Sequence, residues 1–161
     1  MANLITWTRS WPVTTVAITL LGPLLLGAIA TPAVQAGTPP CRVRNITQGT
    51  HATSFRAIVR AAKDGARLTV RGICEGGVAI RTDLVITGVG DPRPVLTGRH
   101  RHRVLWVGKA ATLVLRHLVI ADGDGTKAGA LGGGIYNGGT LTLTDSVVLG
   151  NRTSAGGGGI A

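Results

Sequence analysis

Gly132-Gly-Gly-Ile-Tyr-Asn-Gly-Gly-Thr-Leu-Thr-Leu-Thr-Asp-Ser-Val-Val-Leu-Gly-Asn151 carries the signature of a repeating architecture. A second Gly-Gly-Gly-Ile stands at Gly157–Ile160, 25 residues after the first. Upstream, Thr112-Leu-Val-Leu-Arg-His-Leu-Val-Ile-Ala-Asp-Gly123 lines up with Thr140–Asn151 at an offset of 28. Self-similarity at such a period marks stacked coils. Short β-rich runs broken by glycine corners exclude long helices, and two alternating strands per unit suit a β-solenoid.

Leu84/Ile86, Leu113/Leu115 and Leu141/Leu143 recur at spacings of 29 and 28. That recurrence predicts like side chains stacked inside, one above another, at the ~4.8 Å interstrand distance. Polar or small residues alternate with them, as strands with one buried face require. Strands are expected at Leu68–Val70, Val78–Ile80, Leu84–Ile86, Val95–Leu96 and Val104–Val107. Further strands are expected at Thr112–Leu115, Leu118–Ile120, Ile135–Tyr136, Leu141–Leu143 and Val147–Leu149. The glycine-rich segment Ala121–Asn137 reads as a loop projecting from one coil.

Residues 37–65 read as a lead-in segment and an N-terminal cap, and 66–161 as the solenoid. Cys41–Arg44 suggests a short edge strand. Thr53–Gly65 has helix punctuation: Thr53 or Ser54 to cap the first turn, Gly65 for the left-handed residue past the end. Phe55, Ile58, Val59 and Ala62 make one apolar stripe along it. A solenoid needs such a lid, because its terminal rung otherwise exposes core and strand edges. No comparable lid follows Gly156–Ala161, so the solenoid reads as incomplete at its C-terminus, or as pairing there with another molecule.

Residues 1–36 have the features of a secretory signal. Arg9 supplies the positive region, Val13–Ala30 the apolar run, and Val34-Gln35-Ala36 small residues at a cleavage site. A retained membrane anchor is the alternative, since those 18 residues just reach across a bilayer. Pro23 and the threonines within the run favour cleavage, giving an exported chain without stable membrane insertion. Cys41 and Cys74 are the only cysteines, and in an exported chain two thiols point to one disulfide. Two free thiols are the competing reading; a zinc set would need further ligands.

The Gly-Gly-Gly-Ile-Tyr-Asn…Thr-Leu-Thr-Leu-Thr-Asp-Ser…Gly-Asn pattern resembles right-handed parallel β-helix proteins of the pectin-lyase-like superfamily. It is similar to the Gly-Gly-x-Ile repeats of polymorphic outer-membrane proteins and related secreted bacterial proteins. The resemblance covers about Ala66–Ala161 and implies a right-handed parallel β-helix of three to four coils, secreted or at the bacterial cell surface. The chain departs from it at Val148-Leu-Gly-Asn151, where a Phe-x-x-Asn element belongs, and at a corner where His117 stands above Asp145 instead of stacked asparagines.

Enzymes of that fold gather carboxylates on one face, to hold a metal or to act as acid and base. Here only Asp122 and Asp124 lie close in sequence, and no two of the other five acids, from Asp64 to Asp145, align at the repeat spacing. No catalytic residue is therefore assigned and no cofactor is expected. A remnant of a polysaccharide lyase or glycoside hydrolase, with its catalytic coils missing, is the alternative. Asp122-Gly-Asp124-Gly-Thr126 opens like a calcium loop, but Gly125 and Gly133 fall at the wrong positions, which makes it a weak metal candidate beside an ordinary turn. His117 and Asp145 are placed to hydrogen-bond.

Without residues 1–36, 16 basic side chains face 7 acids, a net charge of +9, and all but three of the bases are arginine. Such an excess attracts polyanions, and the planar guanidinium suits carboxylates. Arg99-His100-Arg101-His102-Arg103 is the densest run and the expected contact for an acidic polysaccharide. A solvated turn is the plainer reading of it. Nucleic acid fits less well, with only Trp106, Tyr136 and Phe55 available for stacking. The expected function is a non-catalytic surface or adhesion module for extended acidic carbohydrate. The uncapped C-terminal coil adds a possible surface for end-to-end self-association. Asn45-Ile-Thr47 and Asn151-Arg-Thr153 match the glycosylation acceptor pattern.

Overall fold

A computed structural model describes residues 39–128 and 131–161 of the chain. The expected secretory signal at 1–36 lies outside the described residues. Among those described, no helix is long and apolar enough to cross a membrane.

The molecule is built of β-strands in three sheets, which the chain visits in the same order three times before a fourth circuit adds strands to the first two. The first circuit runs through β3 (Ala66–Arg71), β4 (Ile73–Glu75) and β5 (Val78–Ile80). The second uses β6 (Leu84–Gly88), β7 (Val95–Thr97) and β8 (Leu105–Val107). The third uses β9 (Thr112–Arg116), β10 (Val119–Ala121) and β11 (Ile135–Asn137), and the fourth β12 (Thr140–Thr144) and β13 (Val147–Leu149). Strands of successive circuits pair in parallel.

The repeat spacing becomes register. Ala66, Leu84, Leu113 and Leu141 stand opposite one another on four neighbouring strands, with Leu68, Ile86, Leu115 and Leu143 in the next column. Cys74, Leu96, Ile120 and Val148 make the corresponding column of the second sheet. Leu113, Leu115, Leu96 and Ile120 are fully buried. Each such side chain contributes roughly 1.5–3 kcal/mol by leaving water. The second glycine triplet also stacks on the first, because Ile160 bridges Ile135 in parallel. The final glycines are thereby hydrogen-bonded to the preceding circuit, with Ile135 N–H donating to the Gly159 carbonyl at 2.8 Å.

Corners between strands need left-handed backbone. After β3, β9 and β12 that position is held by Gly72, His117 and Asp145, with φ of 70°, 54° and 45°. Asp tolerates this region better than most side chains, whereas β-branched residues do not.

The N-terminal end departs from a purely parallel stack. β1 (Arg42–Asn45) pairs antiparallel with β3 on one side and with β2 (Thr50–Ala52) on the other. The first sheet is therefore mixed, and Cys41–Arg44 is not an edge: a hairpin partner, β2, covers it. The helix α1 spans Phe55–Ala61, shorter than the expected Thr53–Gly65. Ser54 caps it by accepting from the Ala57 N–H at 3.3 Å. It stops at Ala62, which is extended at φ −70° and ψ 133°, because the chain must already straighten into β3. Gly65 is left-handed as expected (φ 71°), but serves the turn before β3. Phe55, Ile58 and Val59 are buried against the first circuit. A disulfide joins Cys41 to Cys74, with the Cα atoms 4.7 Å apart, and ties this cap to β4. The segment expected to project as one loop, Ala121–Asn137, begins and ends in strand, with a 3₁₀ turn at Thr126–Ala128 among its described residues.

Candidate functional site

The basic run Arg99–Arg103 lies in the turn between β7 and β8, with Arg99 and His100 both left-handed. Glu75, in the circuit before, faces this turn. His102 Nε2 lies 3.0 Å from one of its carboxylate oxygens and Arg99 Nε 3.7 Å from the other. The hydrogen bond from His102, reinforced by the nearby arginines, holds the Glu75 carboxyl below the usual glutamate range. His100 reaches Asp122 at 3.6 Å. Arg103 donates to the carbonyls of Gly132 (2.7 Å) and Leu131 (2.8 Å), and burial pulls its pKa down. Only Arg101 of the five lacks a side-chain partner among the described residues. A run that is dense in sequence is thus largely neutralised by acids and carbonyls of adjacent circuits.

Asp122 and Asp124 do not converge. Asp122 turns toward His100, while Asp124 is buried and receives Arg152 (2.9 Å) and both the hydroxyl and N–H of Thr126. These bonds, that of the Thr126 hydroxyl foremost, hold its pKa far below the usual aspartate value. Among the described residues no group of three His, Cys, Asp or Glu side chains is placed to hold a metal. His117 does hydrogen-bond Asp145 (2.7 Å), whose other oxygen accepts from Arg93 (2.8 Å). This is a corner clasp between circuits, and the hydrogen bond from His117 lowers the Asp145 pKa. Both glycosylation-pattern asparagines are engaged by structure. Asn45 is 1% exposed and bonded to Gln48, and Asn151 bridges Gly123 N–H and the Ile120 carbonyl of the circuit below.

A cluster of basic side chains without acidic partners lies elsewhere. In β1 the alternation Arg42-Val43-Arg44 turns both arginines outward and Val43 into the core. Antiparallel pairing then sets Arg42 directly opposite Arg71 of β3, and Arg44 directly opposite His51 of β2. The Arg42–Arg71 facing sets like charges across two strands, which is destabilising. These four side chains, with Thr53, Thr69 and the apolar Ile46 and Val89, line a cavity of about 770 Å³. None of the four has a side-chain partner among the described residues. Nor does any acid occupy an outward position on the six strands of this sheet; Arg67, Arg116, threonines and valines do.

Sequence reasoning missed this cluster because Arg42, Arg44, His51 and Arg71 are spread over 30 residues. The Arg-x-Arg alternation was the available signal; the antiparallel partner that completes it was not. No family model, curated protein or solved structure matches the chain.

Proposed function

We propose that the chain is an exported, non-catalytic module that binds extended acidic carbohydrate in the groove between β1, β2 and β3. Its four circuits are read as a right-handed parallel β-helix of the pectin-lyase-like kind, closed at the N-terminal end by α1. The observation carrying the binding reading is the like-charge facing of Arg42 and Arg71, with Arg44 beside them, around an acid-free cavity. An anion seated there relieves repulsion that the folded protein otherwise tolerates. Guanidinium groups favour carboxylates and sulfates through bidentate hydrogen bonds, and the flanking threonines add hydroxyl donors and acceptors. The paired state of most acids supports assigning them to structure instead of acid–base chemistry.

Affinity for an immobilised uronate polymer such as alginate tests this. Retention is expected to fall steeply between 50 and 200 mM salt. Arg42→Ala with Arg71→Ala should weaken binding roughly three- to tenfold at low salt. Arg99→Ala with Arg101→Ala should weaken it far less. Equal retention of the groove variant and the parent would overturn the assignment.

The open edge favours a second surface, end-to-end self-association. Val147, Leu149 and Ile160 are 38–50% exposed there, and β12 and β13 each lack a neighbour on one side. Light scattering across a hundredfold concentration range tests it: growth in mass is expected, abolished by Leu149→Lys, and a constant monomer mass would contradict it.

A further inference from the structure

Trp106 and Tyr136 are far apart in sequence but directly opposite in register, on β8 and β11 of the three-stranded sheet. Both point outward, since their neighbours Leu105, Val107 and Ile135 are the buried positions. Their rings are parallel within 4°, with centroids 6.4 Å apart. Two residues further along, Gly108 and Gly138 make room for them. A Cβ at Gly108 would come within 3.1 Å of the indole, and one at Gly138 within 3.6 Å of the phenol ring. Guanidinium groups flank the pair, with Arg81 5.9 Å from the indole centroid and Arg103 5.3 Å from that of Tyr136. The third described aromatic ring, Phe55, is buried in the core.

We infer that this ledge is a carbohydrate-stacking site, separate from the groove on the first sheet, and that it takes a uronate-type sugar ring. The chemistry is complementary in two parts. The C–H face of a pyranose ring is weakly electropositive and apolar, and an aromatic face is weakly electronegative. Arg81 and Arg103 stand where a carboxylate on that ring would meet a charged donor. The two rings, kept side by side and only partly buried, serve no core on that face and leave apolar area open to a ligand. The arginines distinguish an acidic sugar from a neutral one. The ledge does not rely on the groove reading, because its residues and sheet are different.

Tryptophan fluorescence tests the inference in the full chain carrying Trp7→Phe and Trp11→Phe, which leaves Trp106 as its only indole. The probe is a mannuronate hexamer, with the neutral mannose hexamer as comparison. A saturable change in Trp106 emission is expected with the uronate, at least several-fold weaker with the neutral sugar. Tyr136→Leu should weaken the uronate roughly tenfold while Tyr136→Phe keeps it. Arg42→Ala with Arg71→Ala should leave the emission change in place, even if retention on polymer falls. An unresponsive Trp106, or a response lost on the groove substitutions but not on Tyr136→Leu, would overturn the inference. So would a Tyr136→Leu chain that melts earlier yet binds unchanged, since the rings would then only clasp β11 to β8. If Tyr136→Leu does not fold, Arg81→Gln at the other end of the ledge carries the same comparison: reduced uronate preference supports the site, unchanged preference overturns it. A response to a single-stranded oligonucleotide without one to the uronate would equally contradict it.

Discussion

At one end of the stack, Phe55, Ile58 and Val59 cover the first circuit, Cys41 is bonded to Cys74, and a hairpin lies along β3. At the other end Leu141 and Leu143 are only half-buried, although they occupy the same columns as the fully buried Leu113 and Leu115. The same side chain at the same point of the repeat therefore has two energetic meanings. Between two circuits it is core; on the fourth circuit it stays partly exposed. A repeat unit cannot bury its own inner face, so stability is passed along from circuit to circuit and has to be terminated by something unlike the repeat. Here the unlike elements are a short helix and a hairpin, with the residue before the hairpin joined to β4 by the disulfide.

The largest effect that sharpens this contrast is truncation within one column. Leu113→Ala should cost about 3–5 kcal/mol, because the cavity is closed in on both sides, whereas Leu141→Ala should cost about 1–2 kcal/mol. Denaturant melts of the two variants check it, and equal losses would remove the distinction between the ends. Reducing the disulfide comes next. With the cysteines 33 positions apart in sequence, its loss should lower stability by roughly 3–4 kcal/mol on the chain-entropy account. Thermal unfolding with and without reductant reads this directly. Removing the helix cap with Ser54→Ala should cost about 1 kcal/mol, visible as a small drop in the same melt.

Acid probes the opposite end. Asp124 and Asp145 clasp the third and fourth circuits, through Arg152 and His117 respectively, and both carboxyls lie below their ordinary range. A carboxyl depressed on folding adds stability that is complete above its unfolded value, near 3.9, and disappears as pH falls through the folded value. Stability should thus hold from neutral pH to about 5 and decline below about 4. Amide exchange followed down the same pH range should show β12 and β13 opening before β3 and β6. Asp124→Asn should blunt that decline. Simultaneous opening of all circuits would argue that the clasps do not set the weak end.

Much of this contrast was legible beforehand, and the part that was not has a common cause. The columns could be read because Leu-x-Leu or Leu-x-Ile recurs at nearly constant spacing, and parallel stacking of a repeat needs nothing else to fix register. Each of the ten expected strands falls within one residue of the observed one at one end or the other, and Ala66 and Arg67 extend the first. β2 (Thr-His-Ala) and β4 (Ile-Cys-Glu) were not anticipated, being three residues long with no alternation to betray them. The groove went unseen for the same reason: it depends on the antiparallel hairpin that β2 completes. Conversely, Arg99–Arg103 looked like a binding surface because linear density is visible, while its neutralisation by Glu75 and Asp122 is a property of stacking. The cysteine pairing was legible because two thiols leave one intramolecular choice. The stacked Trp106–Tyr136 pair was hidden by the longer interval between β8 and β11.

The most direct test of the stacked-column account is a methyl-resolved NOE spectrum with leucine and isoleucine labelling. Leu113 methyls are predicted to show cross-peaks to both Leu84 and Leu141, and Leu115 methyls to both Ile86 and Leu143. Leu113 contacts confined to residues near it in sequence, with neither Leu84 nor Leu141 in reach, would contradict the architecture on which both proposed binding surfaces are built.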